Sequence, residues 1–288
     1  MTDGLVVVDK PAGWTSHDVV ARIRKVSGTR RVGHAGTLDP MATGVLIVGM
    51  GRATKLLGHL ALHDKDYEAT LRLGVQTTTD DAEGDVVATR DASSVTDADL
   101  ADVVAMFVGD IEQVPAAVSA VKVNGARAYA LARKGEPVQL AARPVHVSRF
   151  DVVGRNGDDV DVCVSCSTGT YVRALARDVG ERLGVGAHLT RLRRTRVGAF
   201  GLDQAKTLDE VAACFDLVGL DDAVTTAFPR VDVDDEAVRR LCLGQRVESA
   251  GLPVGVHGVF GPDGHVVALA EERDHRLKTL VVFISHFG

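Results

Sequence analysis

The stretch RRVGHAGTLDPMATGVLIVG, residues 30–49, places a single carboxylate, Asp39, among small and apolar residues. Pro40 directly after it removes a backbone donor and disfavours a helical conformation at Asp39. Gly33 and Gly36 permit sharp backbone turns on the approach. Because VLIVG has the composition of a buried strand, the pattern predicts a loop that presents Asp39 just before that strand. A turn acid of no functional consequence is the alternative that this stretch leaves open.

The flanking segments predict a mixed α/β domain. LVVVDKP (5–11) is typical of a strand, and DYEATLRLG (66–74) alternates like one. TSHDVVARIRKVSG predicts a helix that begins at Thr15 or Ser16 and ends at Gly28. Further on, a helix with one apolar face is expected in GTYVRALARDVGERLG (169–184) and a basic strand in AHLTRLRRTRVGAF (187–200).

The charge distribution indicates a surface for phosphates although the net charge is −6. Basic residues outnumber acidic ones in the ranges 10–55, 119–149 and 171–198, the last of which holds seven arginines. Acids gather at 80–85, 91–102 and 209–236. Such segregation favours a basic face that meets a nucleic acid, although each cluster taken alone could be a solvated helix face.

Several other classes of protein are disfavoured. Cys163 and Cys166 form a CxxC, but no second pair follows, and in the alternating DVDVCVSC their thiols should point to opposite faces of a strand. Neither GxxxxGK(S/T), GxSxG nor HExxH occurs. An acid–base carboxylate pair of Asp39 with Asp81 is conceivable, but the sequence cannot place them together. We therefore expect no metal and no cofactor.

The motifs taken together resemble those of the TruB-type tRNA pseudouridine-55 synthases. The matching stretches are VVDKPAGWTSHDVV, RRVGHAGTLDPMATGVLIVGMGRATK, DYEATLRLG with TTTDDAEG, VPAAVSAVKVNGARAYALARKGE and CSTGTYVRALARDVGERLGVGAHLTRLRRTRVG. They cover most of residues 5–200 in the order of the family. The length and the motif set resemble the stand-alone bacterial type, which uses no guide RNA.

The resemblance implies an isomerase that turns uridine 55 in the T-loop of tRNA into pseudouridine, with Asp39 as nucleophile. By the same resemblance Arg173 orients that carboxylate and Tyr67 stacks on the uracil and helps remove its C5 proton. No atom enters or leaves overall, so no cofactor is implied. Whether C1′ or C6 is attacked stays open, as does a tRNA-holding protein without chemistry, or one that also assists tRNA folding.

Further substrate-binding positions follow from the same resemblance. His34 would help to hold the T-loop, Tyr171 would line the pocket and Leu192 would pack on the base. Lys55 and Asp81 are expected near the pocket. Phosphate contacts are expected at the two neighbouring arginines Arg193 and Arg194.

The implied architecture is a pseudouridine-synthase fold, that is, a mixed and largely antiparallel sheet in residues 1–222, with an RNA-clamping thumb loop at about 119–143. Residues 223–288 would form a small β-rich domain of PUA type. The expected partner is the T-arm stem-loop of tRNA. We expect a cytoplasmic monomer with no membrane segment and no obligate protein partner.

Overall fold

The computed structural model of the chain describes residues 3–116, 122–123, 126–127, 140–249 and 251–284. Its strands, in chain order, are β1 (Gly4–Lys10), β2 (Val32–Ala35), β3 (Thr43–Met50), β4 (Lys65–Leu73), β5 (Val75–Thr77), β6 (Val86–Thr89), β7 (Gly109–Gln113), β8 (Lys122–Val123), β9 (Ala126–Arg127), β10 (Arg143–Asn156), β11 (Asp159–Cys166), β12 (Ala187–Val197), β13 (Phe200–Gly201), β14 (Val218–Gly219), β15 (Arg230–Asp232), β16 (Val247–Glu248), β17 (Val256–Phe260), β18 (Val266–Arg273) and β19 (Arg276–Val282). The α-helices are α1 (Ser16–Ser27), α2 (Leu57–Leu60), α3 (Asp97–Ala105), α4 (Val172–Arg182), α5 (Leu208–Ala213), α6 (Leu220–Ala227) and α7 (Asp235–Cys242), with 3-10 turns at Gly51–Leu56 and Leu202–Gln204.

A ten-stranded sheet organises the first three quarters of the chain. Its order is β14-β1-β3-β12-β4-β11-β10-β7, with β2 beside β3 and β13 beside β12. Within the described part of this sheet the pair β3–β12 is parallel and the other pairs are antiparallel. The predicted mixed, largely antiparallel sheet is therefore confirmed.

The central strands are buried on both faces, which explains their continuous apolar runs. Along β1, Val6 and Val8 enter the core that lies under α1, α3 and α4, whereas Leu5 and Val7 enter a second core on the opposite face. Because side chains alternate along a strand, one short apolar segment supplies both cores.

Helix α1 has the ends that its sequence predicts. The Thr15 hydroxyl accepts a hydrogen bond from the N–H of Asp18, whose carboxylate in turn accepts one from the Thr15 N–H. Gly28 ends the helix in the left-handed conformation, with φ +67°. This capping box fixes where the helix begins, and therefore where Ser16 stands beneath the Asp39 loop.

A second, five-stranded sheet of order β15-β17-β18-β19-β16 confirms the predicted β-rich C-terminal part. Phe228, Phe260 and Phe283 from this part enter the same core as Leu5 and Val7 of β1. The two sheets therefore share apolar contacts and are not separated by a solvated linker.

The predicted thumb loop at about 119–143 lies largely outside the described residues. Among those that the structure describes, no helix combines the length and apolar character needed to cross a bilayer.

Candidate active site

The loop between β2 and β3 carries Asp39 and is held through its backbone on both sides of that residue. The Lys10 ammonium group, at the end of β1, donates to the carbonyl oxygen of Pro40 at 3.2 Å. The Ser16 hydroxyl donates to the carbonyl oxygen of Leu38 at 3.1 Å and accepts from the Leu38 N–H at 2.9 Å. The position of the carboxylate is thus fixed by β1 and by the first turn of α1.

A buried guanidinium fixes the start of the same loop. Arg194 is 1% exposed and donates to the carbonyl oxygens of Gly36 at 3.2 Å and Thr37 at 3.4 Å. Its Nε donates to the carbonyl of Val45, on the far side of the loop, at 2.7 Å. One side chain from β12 therefore spans both ends of the Asp39 loop.

Two glycines are required by the backbone here. Gly36 has φ +84° and Gly44 has φ +100°, which β-carbon sterics disfavour in other residues. At Gly44 a Cβ would also lie 2.1 Å from the Arg194 carbonyl oxygen. Gly33, predicted to allow a turn, instead lies within β2 without a positive φ, and a Cβ there would meet the Leu57 side chain at 2.9 Å. Close packing, not a turn, is the reason for Gly33.

Arg173 joins two carboxylates. Its Nη2 lies 3.0 Å from Oδ2 of Asp39 and its Nη1 lies 3.2 Å from Oδ2 of Asp81. The Arg173 side chain is 5% exposed and that of Asp81 is 4% exposed, whereas 35% of the Asp39 side chain is open. Arg173 stands in the first turn of α4, where the helix dipole disfavours a cation. The two carboxylates therefore offset both this unfavourable dipole and the desolvation of the buried guanidinium.

The surroundings act on the proton affinity of Asp39 in opposite directions. Burial raises the pKa of Asp39 above its ordinary value, the Arg173 guanidinium lowers that pKa, and the nearby Asp81 carboxylate raises it. The ion pair therefore keeps an ionised carboxylate available in a site that would otherwise favour its protonated form.

Asp39 opens into a cavity of about 270 Å³. The walls include six of the residues singled out from the sequence, which are Asp39, Tyr67, Tyr171, Arg173, Leu192 and Arg194. Tyr67 and Arg194 are direct partners across β4 and β12, and Leu192 stands two residues before Arg194 on the same face. Strand pairing thus brings residues more than a hundred positions apart into one wall.

Two further groups in this wall have shifted proton affinities. Burial raises the pKa of the Tyr67 phenol, and the Arg194 guanidinium acts in the opposite direction. Burial, reinforced by Arg194, lowers the pKa of Lys65 to about 8. The Lys65 ammonium donates to the carbonyl oxygens of Ala61 at 2.9 Å and His63 at 2.6 Å.

The cavity also has walls that the sequence reasoning missed. Lys65 lines it, as do the residues from Ser167 to Thr170 in the loop before α4. A signal for Lys65 was present, because it stands two residues before Tyr67 on one strand and so shares its face. The loop offered no comparable signal, since its position depends on hydrogen bonds from distant strands.

Family profiles match the parts of the chain that form this site. A profile described as the TruB family pseudouridylate synthase, N-terminal domain, matches residues 24–172, which include Asp39, Tyr67 and Asp81. The chain belongs to the TruB family. Two C-terminal profiles of tRNA pseudouridine synthases match residues 173–224 and 228–284. Pseudouridine synthases are isomerases, and the chain is accordingly an isomerase.

Relatives match the TruB assignment over nearly the whole chain. A tRNA pseudouridine synthase B of Thermobifida fusca (strain YX) is 56% identical over 98% of this chain and 99% of the relative. Another protein of that name, from Mycobacterium sp. (strain KMS), is 57% identical over 97% of this chain and 95% of the relative.

Solved structures share the fold at lower identity. A chain from the crystal structure of a Cbf5-Nop10-Gar1 complex is 28% identical with a TM-score of 0.76, over 98% of this chain and 85% of that one. A chain from an H/ACA RNP bound to a substrate RNA containing 2'-deoxyuridine is 26% identical with a TM-score of 0.74, over 98% and 85%. The pseudouridine-synthase fold expected from the sequence is therefore confirmed.

Lys55 and His34, both chosen by resemblance to the TruB family, do not line this cavity. The Lys55 ammonium, expected near the pocket, donates to the carbonyl oxygen of Val282 in β19 at 2.6 Å. His34 stands on β2 before the Asp39 loop, and its ring meets that of His17 edge-on, with centroids 5.4 Å apart. Burial lowers the pKa of His34.

Of the two arginines expected to meet phosphates, the structure contradicts that role for Arg194. Arg194 is buried and committed to backbone carbonyls, so it cannot reach an RNA phosphate in this fold. Arg193 points to the other face of β12 and forms an ion pair with Asp9, with Nη2 and Oδ2 2.7 Å apart. That pairing leaves Arg193 with a carboxylate partner already in place.

The same holds for most of the arginine cluster at 171–198. Arg177 pairs with Asp80 and Asp178, and Arg191 pairs with Asp161. A further ion pair joins Arg196 to Asp66 on β4. The clustering in sequence therefore overstates the positive charge available to a ligand, because nearby aspartates neutralise these side chains.

The cysteine pair behaves as a strand pattern predicts. Cys166 is buried in the core and Cys163 is partly exposed. In the described ranges, no group of three or more histidine, cysteine, aspartate or glutamate side chains could hold a metal ion.

Proposed function

We propose that the chain converts uridine 55 in the T-loop of tRNA to pseudouridine, with Asp39 as the nucleophile and without cofactor or guide RNA. The observation that carries the proposal is the Asp39 carboxylate, partly open at a cavity and ion-paired to the buried Arg173. The names of the relatives, tRNA pseudouridine synthase B, support tRNA as the substrate.

The reaction balances within the nucleotide. The bond from N1 of uracil to C1′ of ribose breaks, the base turns, and a bond forms from C5 to C1′. The proton on C5 leaves and N1 gains a proton, so no atom is added overall. Asp39 would form a covalent adduct, either at C1′ or at C6, and be released when the product forms.

The cavity suits one flipped base. Its volume of about 270 Å³ lies just below the range of roughly 300–1,000 Å³ typical of small-ligand pockets. Uridine in a folded RNA must leave its stack before a side chain can reach it. We assign Tyr67 to stacking on the uracil, and Leu192 and Tyr171 to packing around it.

The charges of the cavity wall suggest separate roles for its polar side chains. The raised pKa of Tyr67 keeps its phenol neutral, which supports stacking more than removal of the C5 proton. Arg173 would keep Asp39 ionised and aimed, and Asp81 would hold Arg173 in place. Arg194 and Lys65 would contribute positive charge at the wall and hold the backbone around it.

His34 and the two parts of the chain are assigned to RNA binding and catalysis as follows. His34, beside the loop, would contact the T-loop. We propose residues 1–222 as the catalytic domain and 223–288 as a PUA-like RNA-binding domain. The shared core of the two parts supports a fixed relation between them.

The test is release of tritium from tRNA transcript labelled at C5 of uridine, comparing the unaltered protein with Asp39→Asn. Asparagine keeps the size of the side chain but removes the nucleophile. We expect release by the unaltered protein only, with tRNA binding by Asp39→Asn within about threefold of the unaltered value, because the substitution removes no positive charge that a phosphate would meet.

Two results would contradict this proposal. Release by Asp39→Asn at the unaltered rate would exclude Asp39 as nucleophile. Tight tRNA binding without release by either protein would leave a protein that holds or folds tRNA without chemistry. Sequencing for pseudouridine at position 55 and for its absence elsewhere tests the position.

A further inference from the structure

A surface on α1 and the turn after it carries positive charge without carboxylate partners. From Val19 to Leu38 the sequence contains no acidic residue. This α1 basic surface consists of Arg22, Arg24, Lys25, Arg30 and Arg31, all exposed except the half-buried Arg22. Within residues 3–116, 140–249 and 251–284, none of the five has a carboxylate oxygen within 4.0 Å of its charged nitrogens.

Hydrogen bonds orient part of this surface without neutralising it. Arg24 donates to the carbonyl oxygen of Val32 at 2.9 Å, and Arg31 donates to the hydroxyl of Thr54 at 3.0 Å. Both acceptors are neutral, so the guanidinium charges remain. The two side chains are anchored against β2 and the 3-10 turn at Gly51–Leu56, and less side-chain entropy would be lost when they meet an anion.

The helix dipole explains only part of this arrangement. Arg24 and Lys25 stand in the last turn of α1, where the negative end of the dipole favours a cation. Arg22 lies before that turn, and Arg30 and Arg31 follow the helix. Helix α5 packs against α1 and brings Asp209 and Glu210, but the Glu210 carboxylate accepts the capping hydrogen bonds of Thr207.

Three arginines of β10 and β12 differ from this surface because they have carboxylate partners. Arg149, Arg191 and Arg196 are exposed to a similar degree, yet each is ion-paired with an aspartate. A phosphate that meets one of these must compete with a carboxylate already in place. A phosphate at the α1 basic surface displaces only water and counterions.

The surface is also placed to act together with the Asp39 loop. The first turn of α1 holds that loop through Ser16 and Leu38. Lys25 lies nine residues further along the helix, about 14 Å at 1.5 Å per residue. That distance corresponds to several nucleotides of an RNA strand, so the surface lies beyond the reach of the flipped base itself.

We propose that the α1 basic surface binds the phosphate backbone of the RNA substrate at a distance from the target uridine. The proposal rests on the proposed function for the identity of the RNA. It moves the main electrostatic contact from the β12 arginines, where the sequence suggested it, to the helix that also positions the nucleophile.

The test measures equilibrium binding of unmodified tRNA transcript between about 0.05 and 0.3 M salt. The variant R22Q/K25Q/R30Q removes three unpaired charges and spares Arg24 and Arg31, which also bind the backbone or Thr54. The control R149Q/R191Q/R196Q removes the same net charge from paired sites. Thermal unfolding of both variants confirms that they fold.

We expect R22Q/K25Q/R30Q to raise the Kd at least about tenfold at 0.1 M salt and to reduce the slope of log K against log salt by about two to three. The control should keep the slope within about one of the unaltered protein. An unaltered slope in R22Q/K25Q/R30Q, or equal losses in the two variants, would overturn the proposal. Binding is read without catalysis, so absence of pseudouridine formation would count against the proposed function alone.

Discussion

The side-chain amide of Gln113 makes two hydrogen bonds with the backbone of Tyr171. Its Nε2 donates to the Tyr171 carbonyl oxygen at 3.1 Å, and its Oε1 accepts from the Tyr171 N–H at 2.8 Å. Gln113 is 1% exposed and ends β7, whereas Tyr171 precedes α4 and lines the cavity. The Gln113 amide thus satisfies both the N–H and the carbonyl of Tyr171, as the backbone of a paired strand would. It anchors the loop that leads to Arg173.

Gln113→Met should lower kcat more than it raises KM. Methionine keeps the volume but breaks both hydrogen bonds, and the Tyr171–Arg173 segment would lose its position relative to Asp39. A displacement of about 1 Å can cost about a hundredfold in rate, so we expect a fall in kcat of about ten- to a hundredfold.

The matched control is Thr190→Val, which removes the 3.1 Å hydrogen bond from the Thr190 hydroxyl to the Thr70 carbonyl, in the same sheet but outside the cavity. Single-turnover kinetics and thermal unfolding of both variants distinguish a displacement of the Tyr171–Arg173 segment from a loss of fold stability. Similar losses of Tm with an unchanged kcat in both would contradict a positioning role for Gln113.

The pH dependence of the reaction should report the ionisation of Asp39. Burial raises the pKa of this carboxyl above its ordinary value of 3.8. If Asp39 is the nucleophile, as proposed, it must be ionised, so kcat/KM should rise with pH through that raised pKa and reach a plateau above it. The measurement is the initial rate of tritium release from about pH 4 to 8 at low substrate concentration.

Asp81→Asn tests the direction in which the Asp81 carboxylate shifts the pKa of Asp39. The Asp81 carboxylate is a like charge that raises the pKa of Asp39, so its removal should move the acid limb of kcat/KM to lower pH. The plateau should also fall, because Arg173 loses a charged partner at 3.2 Å. An acid limb that moves to higher pH in Asp81→Asn would refute this account of the site.

Arg194→Met should destabilise the fold more than Arg193→Met. The first change removes the hydrogen bonds that Arg194 donates to the carbonyls of Gly36, Thr37 and Val45 in a buried site, for an expected loss of about 3 kcal/mol. The second removes a half-exposed ion pair with Asp9 and should cost about 1 kcal/mol or less. Urea unfolding measures the free energy of unfolding of the two variants. Equal losses would show that the buried hydrogen bonds of Arg194 add no more stability than the Arg193 ion pair.

Gly44→Ala should disturb the join between the Asp39 loop and β12. The substitution introduces a Cβ 2.1 Å from the Arg194 carbonyl oxygen, in addition to the strain of φ +100°. Gly13→Ala is the matched control, because Gly13 has φ +79° but open space around its Cβ position. Strain alone costs about 1–2 kcal/mol, so Gly44→Ala should lose clearly more in urea unfolding and Gly13→Ala about that amount. Equal losses would show that the clash is relieved by a small shift of β12.

Local patterns predicted the elements around the site well. The capped start of α1, its end at Gly28 and the strands on both sides of the Asp39 loop all depend on short-range rules. The partnership of Asp39 with Arg173 came from resemblance, since 134 positions separate the two residues in the sequence. The geometry brings them to 3.0 Å.

What failed was reasoning about charge along one strand. Arg194 shares the inward face with Leu192 by simple alternation, so its burial could have been read from the sequence. The ion pairs of Arg191 and Arg193 could not, because they depend on Asp161 of β11 and Asp9 of β1, which the sheet brings near β12. Register across a sheet is set by the whole fold, and a list of basic residues carries no information about it.

The capture of the Asp39 loop by Arg194 has a consequence for the growing polypeptide. Lys10 and Ser16 are available as soon as the first strand and helix exist, but the guanidinium that spans Gly36 and Val45 arrives 155 residues after Asp39. A nascent chain, or a fragment that ends between β3 and β12, therefore carries Asp39, the proposed nucleophile, without the guanidinium that shapes its loop. The enzyme becomes competent late in its own synthesis, when the last central strand enters the sheet.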